Sequence, residues 1–219
     1  MGLLLMTFMP SLIILMYIIK SDKFPEPTGN IIFIFFLGAL LIFPAAFLNQ
    51  IFILSNSNDL TYLSGFTEEP LKFLVFYFFV RKQIHFNEKM DAIVYGATIS
   101  LGFATYENYN YVYFESGLLG INPYIVAFVR AIAAIPMHAM CGIIMGYYLG
   151  LHYFEKNNSK IFLALIIPIA IHGTYNFLTN NFIVALVFLY FVYRYTNNLH
   201  KEFVQAQKAK KNEPELKIQ

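Results

Sequence analysis

The sequence has few charged residues and few groups that crosslink or anchor a soluble domain. Only 13% of its 219 residues are charged, tryptophan does not occur, and Cys141 is the single cysteine. Soluble domains carry about 25% charged residues, and one cysteine cannot form an internal disulfide. The scarcity of charge excludes an ordinary soluble domain, and the lack of a basic segment interleaved with aromatic residues argues against binding of nucleic acid.

Long apolar runs take up most of the chain instead. Hydrophobic residues make up 58% of it, and the mean hydropathy is +0.56. An apolar run of about 20 residues is long enough to span a bilayer as a helix. The sequence therefore predicts an all-α, polytopic transmembrane helical bundle with about seven spans. These runs are about Leu3 to Ile19, Asn30 to Leu48, Leu60 to Val80, Asp91 to Phe114, Pro123 to Leu151, Ile161 to Leu178 and Phe182 to Tyr195.

The first run has the length of a secretory signal peptide but not its other features. It lacks a basic start and a small-residue cleavage site, and Lys20 closes it. Signal peptides combine a basic start, an apolar middle and a cleavage site. We therefore expect this run to be retained as the first helix.

The basic residues are distributed unevenly among the connecting segments. All except Lys72 and Arg130 follow the first, third, fifth or seventh predicted span, and the intervening loops contain none. Lysine and arginine accumulate in short cytoplasmic loops. The pattern predicts an N-terminus outside and a cytoplasmic C-terminus. We divide the chain into a transmembrane domain over residues 1–196 and a polar cytoplasmic tail over residues 197–219.

Four of the spans contain ionisable or polar residues that an apolar helix does not need. A charged side chain near the bilayer centre costs about 2.5–3.5 kcal/mol on insertion scales, so such groups are usually buried against protein and functional. A rise of about 1.5 Å per helical residue puts them all at middle to outer depth. They are predicted to converge in one site. These residues are Glu68, Glu69 and Lys72 in the third span, Glu107 and Asn108 in the fourth, His138 in the fifth, and His172 and Asn176 in the sixth.

Some of these polar residues could have a structural role instead of a functional one. Glu68, Glu69 and Lys72 could form a buried salt bridge, but that would leave one carboxylate unpaired. Arg130 lies eight residues before His138, and we expect it to snorkel to the outer interface.

Four motifs follow one another in a recognisable order. They are EEPLK from Glu68 to Lys72, FATYEN from Phe103 to Asn108, PMHAMCG around His138 and HGTYN from His172 to Asn176. This order resembles that of the PrsW family of intramembrane proteases, which is distantly similar to the CAAX prenyl endopeptidases. The CAAX enzymes differ in having a histidine where this chain has Glu107.

The resemblance implies an intramembrane endopeptidase, a multi-pass protein of the bacterial plasma membrane. Its substrate would be a single-pass membrane anti-sigma factor, cut first on the extracytoplasmic side so that a sigma factor is eventually released. Peptide hydrolysis requires a base that activates water and donors that stabilise the oxyanion. The implied catalytic residues are Glu68, Glu69, Glu107, His138, His172 and Asn176. The implied substrate-binding residues are Lys72, Phe103 and Asn108.

Within that set, we assign Glu68 or Glu69 as the base, without choosing between them. His172 and Asn176 would stabilise the oxyanion, as the corresponding pair does in the CAAX relatives that the chain resembles. A histidine would also help to orient the water.

Two alternatives stay open. Two histidines and one glutamate can hold zinc with a position free for water, and the ligands would then be Glu69, His138 and His172. The sequence contains no HExxH motif, and we favour a mechanism without a cofactor. A proton-coupled transporter or membrane sensor could also use such residues, but the inverted repeats typical of transporters are not visible in the sequence.

Overall fold

The structure is a computed structural model that describes residues 2–54 and 58–212, and these residues are almost entirely helical. Short π-helical turns extend α3, α4 and α5 over Gln50–Leu54, Phe76–Val80 and Tyr111–Glu115, and a 3-10 helix over Asn58–Leu63 leads into α4. The α-helices are α1 Gly2–Ser21, α2 Thr28–Leu40, α3 Ile42–Asn49, α4 Ser64–Val75, α5 Lys89–Asn110, α6 Ser116–Leu118, α7 Pro123–Ile132, α8 Ala134–Phe154, α9 Lys160–Leu178 and α10 Phe182–Asn212.

The predicted polytopic helical bundle is confirmed. Within the described residues, seven helical rods correspond to the seven predicted spans, and five of them are long and apolar enough to cross a membrane. The other two contain α4, which has only 12 residues, and α5. The direction in which the rods cross the bilayer stays a prediction. The five apolar rods are Gly2–Ser21, Thr28–Phe52, Pro123–Phe154, Lys160–Leu178 and Phe182–Ala209.

The centre of the bundle is the pair formed by α5 and α8, which pack together along their whole length. Glycines allow the close approach. A Cβ atom added at Gly146 would lie 2.1 Å from the carbonyl oxygen of Ala92, and one added at Gly142 would lie 2.5 Å from that of Gly96. Small residues spaced four apart let helices approach closely in lipid. The α5–α8 pair therefore provides a rigid backbone for the groups near the C-terminal end of α5 and the N-terminal end of α8.

The predicted fifth span is not one continuous helix. It breaks at Ala133, whose φ and ψ of −126° and −67° separate α7 from α8. Pro136 has no backbone N–H, so it cannot bond to the carbonyl of Ile132 four residues earlier, and its ring disfavours a straight helix there. The break puts Arg130 on α7 and His138 on α8.

The polar segment predicted as a tail starts as a continuation of α10. This helix runs to Asn212, while residues 213–219 lie outside the described residues. Its buried positions follow a helical stripe through Thr196, His200, Phe203 and Gln207. The Phe203 ring stacks on Tyr147 at 4.6 Å. The hydropathy pattern did not reveal this packing because only about one residue per turn faces the bundle.

Candidate active site

Helix α4 carries a buried ion pair at the centre of the polar site. Glu69 and Lys72 lie one turn apart, so their side chains share a face. The Lys72 ammonium donates to Glu69 Oε1 at 2.6 Å, and both side chains are fully buried. Burial of two charges is tolerated only when pairing and hydrogen bonds compensate for lost hydration. The Glu69 carboxylate is therefore committed to Lys72.

His172 on α9 bonds to the same carboxylate. Its Nδ1 lies 2.8 Å from Glu69 Oε1, while its Nε2 lies 3.7 Å from Glu68 Oε2. A carboxylate on one ring nitrogen holds the imidazole in a fixed orientation and tautomer. With Nδ1–H donating to Glu69, Nε2 is left as an acceptor that points toward Glu68.

His138 on α8 lies between the two charged pairs. Its Nδ1 is 3.2 Å from Lys72 Nζ, and its Nε2 is 3.0 Å from Glu107 Oε2. An ammonium group can only donate, so Nδ1 accepts and Nε2–H donates to Glu107. The rings of His138 and His172 meet edge to face at 4.9 Å. The Phe103 ring lies under Lys72, 4.3 Å from Nζ, and closes this part of the site.

Glu107 has a second cationic partner, Arg130. The Nη2 atom of Arg130 lies 2.5 Å from Glu107 Oε2, and its Nε donates to Asn108 Oδ1 at 3.0 Å. The expectation that Arg130 snorkels to the outer interface is therefore wrong, because its guanidinium bonds to two residues of α5. Asn108 in turn donates to the backbone oxygen of Thr7 on α1 at 2.7 Å, which ties the site to the first helix.

Glu68 is the carboxylate without a strong cationic partner. Its Oε1 accepts from Asn49 Nδ2 at 3.3 Å, and its Oε2 has no hydrogen-bond partner among the described residues. Glu69 Oε2 also lacks one, but the other oxygen of Glu69 bonds to Lys72 and His172. Three carboxylates and two cations meet here. Because Lys72 pairs with Glu69 and Arg130 pairs with Glu107, Glu68 carries the surplus negative charge.

Asn176 lies on the same helix as His172 but bonds elsewhere. Its Nδ2 donates to Ser64 Oγ at 2.5 Å and to the carbonyl oxygen of Thr61 at 3.3 Å. No hydrogen bond among the described residues joins it to the carboxylates or histidines of the site. It connects α9 to the start of α4, at the edge of the polar site.

Asn49 is the site residue that sequence reasoning missed. It directly follows the second predicted apolar run, which ends at Leu48. The structure puts it at the end of α3, where its Nδ2 contacts Glu68 and its Oδ1 accepts from Thr67 Oγ1. A polar residue at the end of a span gives no signal that distinguishes it from a loop residue.

Exposure differs across the described part of the site. The side chains of Glu107 and Arg130 are 14% and 12% exposed, whereas Glu69 and Lys72 are fully buried and His172 is 2% exposed. The polar groups behind them are shielded, which strengthens their electrostatic interactions.

Three residues of the site fit a metal ion. Glu68, His138 and His172 each offer a ligand atom within 4.8 Å of the other two. Glu69 would then hold His172 from behind, as carboxylates commonly do for metal-bound histidines. This set differs from the ligands predicted from sequence, because it contains Glu68 in place of Glu69. His138 would have to release Lys72 or Glu107 to bind a metal, since both of its ring nitrogens are engaged.

Comparisons with known proteins give a consistent result. The profile of a family described as PrsW family intramembrane metalloprotease matches residues 26–196. The chain is 36% identical to Protease PrsW of Bacillus subtilis over 77% of this chain and 78% of that protein. It is 38% identical to Protease PrsW of Oceanobacillus iheyensis over 79% and 80%, and 34% identical to that of Clostridioides difficile over 91% and 89%. No solved structure matches.

Proposed function

The chain belongs to the PrsW family of intramembrane proteases, and from this we infer that it cleaves a single-pass membrane anti-sigma factor on its extracytoplasmic side with a water activated by Glu68. Family membership makes it a multi-pass bacterial membrane peptidase rather than a transporter or sensor. One observation supports the choice of base. Glu69 and Glu107 each pair with a cation, Lys72 and Arg130, whereas Glu68 pairs with neither.

The position of the site along the helices supports cleavage outside the cell. Glu107 is about 16 Å and His172 about 9 Å from the ends of their helical rods at Leu118 and Leu178, at about 1.5 Å per residue. By the distribution of basic residues, those ends face outward. A cut near the outer leaflet suits a substrate with one membrane span and an extracytoplasmic domain.

Two neighbouring acceptors can hold the attacking water. Glu68 Oε2 and His172 Nε2 are 3.7 Å apart, so one water can donate a hydrogen bond to each. Asn49 holds the other oxygen of Glu68 and thereby keeps Oε2 directed to the water. The lone pair of the water then points toward an incoming peptide carbonyl, which is the arrangement that general base catalysis requires.

The proposed reaction is hydrolysis through a tetrahedral intermediate. Glu68 takes one proton of the water while its oxygen bonds to the scissile carbonyl carbon. Collapse of the intermediate breaks the C–N bond, and Glu68 returns the proton to the leaving amine. Asn176 would donate to the oxyanion after releasing Ser64, while His172 Nε2 accepts a hydrogen bond from the hydroxyl group of the intermediate.

A zinc-dependent mechanism is the second candidate. It is favoured by the Glu68, His138 and His172 group and by the description of the family as metalloproteases. A zinc ion held there would act as a Lewis acid and make its bound water more acidic. Against it, Lys72 places a positive charge 3.2 Å from His138 Nδ1. We therefore propose that the reaction needs no metal.

Co-expression with each single-pass membrane anti-sigma factor of the same bacterium tests the activity and finds the substrate together. The intact protein should shorten one of them, and Glu68→Gln should not. Glu155→Gln is the matched control, because it makes the same change at a glutamate that is exposed just after α8, at the opposite end of the bundle, where it pairs with Lys89. A product formed equally by Glu68→Gln would overturn the assignment of the base.

Metal analysis distinguishes the two mechanisms. The metal-independent mechanism predicts well under one zinc per purified protein and cleavage that chelators do not affect. Stoichiometric zinc that is lost in both Glu68→Gln and His172→Asn, together with chelator-sensitive cleavage, would instead establish a metalloprotease.

A further inference from the structure

Arg130 is held at three points by the outer end of α5 and its π-helical extension. Besides its bonds to Glu107 and Asn108, its guanidinium lies 4.0 Å from the centre of the Tyr111 ring. Glu107, Asn108 and Tyr111 lie within one helical turn of one another, so the planar guanidinium covers this turn. A fixed guanidinium of this kind restricts the rotamer of the carboxylate that it binds.

The oxygen that Arg130 binds is also the oxygen that His138 binds. Glu107 Oε2 lies 2.5 Å from Arg130 Nη2 and 3.0 Å from His138 Nε2. Glu107 thus connects a cation in the more exposed part of the site to a histidine at its centre. On the far side of that histidine, Nδ1 accepts from Lys72, which in turn bonds to Glu69.

From these contacts we propose that Arg130 is a positioning residue that holds Glu107 in the rotamer that accepts from His138 Nε2–H. The proposal rests on the proposed peptidase function for its meaning in catalysis, but its structural content is independent of the substrate. Lys72 selects the tautomer at Nδ1, and Arg130, through Glu107, fixes the direction of Nε2–H. Without Arg130, the buried Glu107 charge loses its cationic partner, its carboxylate can turn away, and the His138 ring loses the contact that orients Nε2–H.

The first test reads the tautomer without any substrate. The protein is labelled with ¹⁵N-histidine, and a His138→Asn spectrum identifies the His138 signals. The intact protein should show a neutral His138 with the proton on Nε2, and Arg130→Ala should shift the Nε2 signal as the hydrogen bond to Glu107 is lost. An unchanged His138 spectrum in folded Arg130→Ala would overturn the proposal.

The second test measures cleavage of the tagged anti-sigma factor that the co-expression experiment identifies. Removing a residue that orients a residue of the site typically lowers activity 10- to 100-fold. Arg130→Ala should therefore lower kcat about 100-fold with little change in KM, and added guanidinium ion should restore at least tenfold. Arg130→Lys should fall in between, because one ammonium cannot bond to Glu107 and Asn108 in the same fork geometry.

The matched control is Arg81→Ala. Arg81 also stacks on a tyrosine, with its guanidinium 3.7 Å from the Tyr77 ring, but it is exposed at the other end of the bundle. It should keep its activity and show no response to guanidinium. If Arg130→Ala does not fold, Arg130→Lys decides: a tenfold lower kcat supports the proposal, and an unchanged kcat contradicts it.

Failure of this inference and failure of the proposed function give different results. If the intact protein cleaves no anti-sigma factor, the proposed function fails, and the tautomer measurement still decides the role of Arg130. If Arg130→Ala cleaves like the intact protein while Glu68→Gln is inactive, the function stands and the positioning role is rejected.

Discussion

The two ends of the bundle both bury polar groups, but they balance them in different ways. At the end that holds the candidate active site, carboxylates pair with Lys72 and Arg130, and Glu68 is left over. At the opposite end, carboxylates accept mainly from neutral donors. Gln207 donates to Asp22 at 2.7 Å, and Tyr95 donates to Glu26 at 2.5 Å.

The difference indicates a different purpose for each network. Neutral donors satisfy buried carboxylates and tie α10 and α5 to the segment after α1, as a structural network requires. Ion pairs beside an unpaired carboxylate cost more to bury, and such an arrangement is expected where charge is used in a reaction. Substitutions at the two ends should therefore separate stability from activity.

The largest expected effect on stability follows from removing Lys72. Lys72→Met leaves the Glu69 charge buried without its cation, and breaking a buried pair in this way costs about 3–5 kcal/mol. The variant should fail to accumulate or unfold at a much lower temperature in detergent. Lys89→Met is the control, because its pair with Glu155 is exposed and should contribute under about 1 kcal/mol.

A double variant sharpens this prediction. Glu69→Gln with Lys72→Met removes both charges and should recover much of the lost stability. It should not recover cleavage, because His172 then lacks the carboxylate that orients it. Recovery of full activity would show that the pair has no role in the reaction.

A smaller effect, on activity alone, is expected for Asn49. Asn49→Leu removes the amide that holds Glu68 Oε1, and kcat should fall roughly 10- to 100-fold as Glu68 loses its orientation. The melting temperature should change little, because Asn49 is only partly buried. Asn157→Leu, in an exposed turn, is the control; equal kcat in the two variants would contradict the role of Asn49.

The smallest effect concerns pH and the opposite end of the bundle. Burial raises the pKa of Glu26, in the segment between α1 and α2, above its ordinary value, and the nearby Asp22 adds to the shift. A raised pKa in the folded state means that folding favours the protonated form. This contribution to stability is therefore present at acidic pH and is lost as the pH rises through the raised pKa.

Glu26→Gln should remove that pH dependence. The intact protein should be more stable near pH 5 than near pH 8, and this difference in stability should be smaller in the variant. Cleavage by the folded variant should be unchanged. Thermal unfolding at the two pH values measures it. A variant with the same pH dependence as the intact protein would exclude Glu26 as the source.

Much of the fold follows from the sequence because the cost of burying polar groups in lipid is large. Apolar runs gave the seven rods, and charged groups inside them indicated where a site would form. Pro136 indicated that the fifth span could open beside His138, but the position of the break at Ala133 was not predicted, because a proline can either bend a helix or be tolerated in it. The packing of Phe203 and Gln207 was missed because a polar helix with one buried stripe has low hydropathy.

The pairing within the site could not be read from the sequence. Spacing puts Glu68, Glu69 and Lys72 near one face of α4, but which carboxylate Lys72 binds depends on the rotation of α4 against α8 and α9. Arg130 was assigned to the interface because its distance from His138 was counted along one straight helix. Its partner Glu107 lies on another helix, so the surplus charge on Glu68 appears only in three dimensions.

The most direct test of that surplus charge is single-turnover cleavage of the identified anti-sigma factor by purified protein in liposomes. Removal of a general base typically costs about 10²- to 10⁴-fold. Glu68→Gln should therefore lose roughly 10³-fold in rate while its melting temperature is unchanged or higher, and Glu155→Gln should react like the intact protein. A Glu68→Gln rate within tenfold of that of the intact protein would contradict the account.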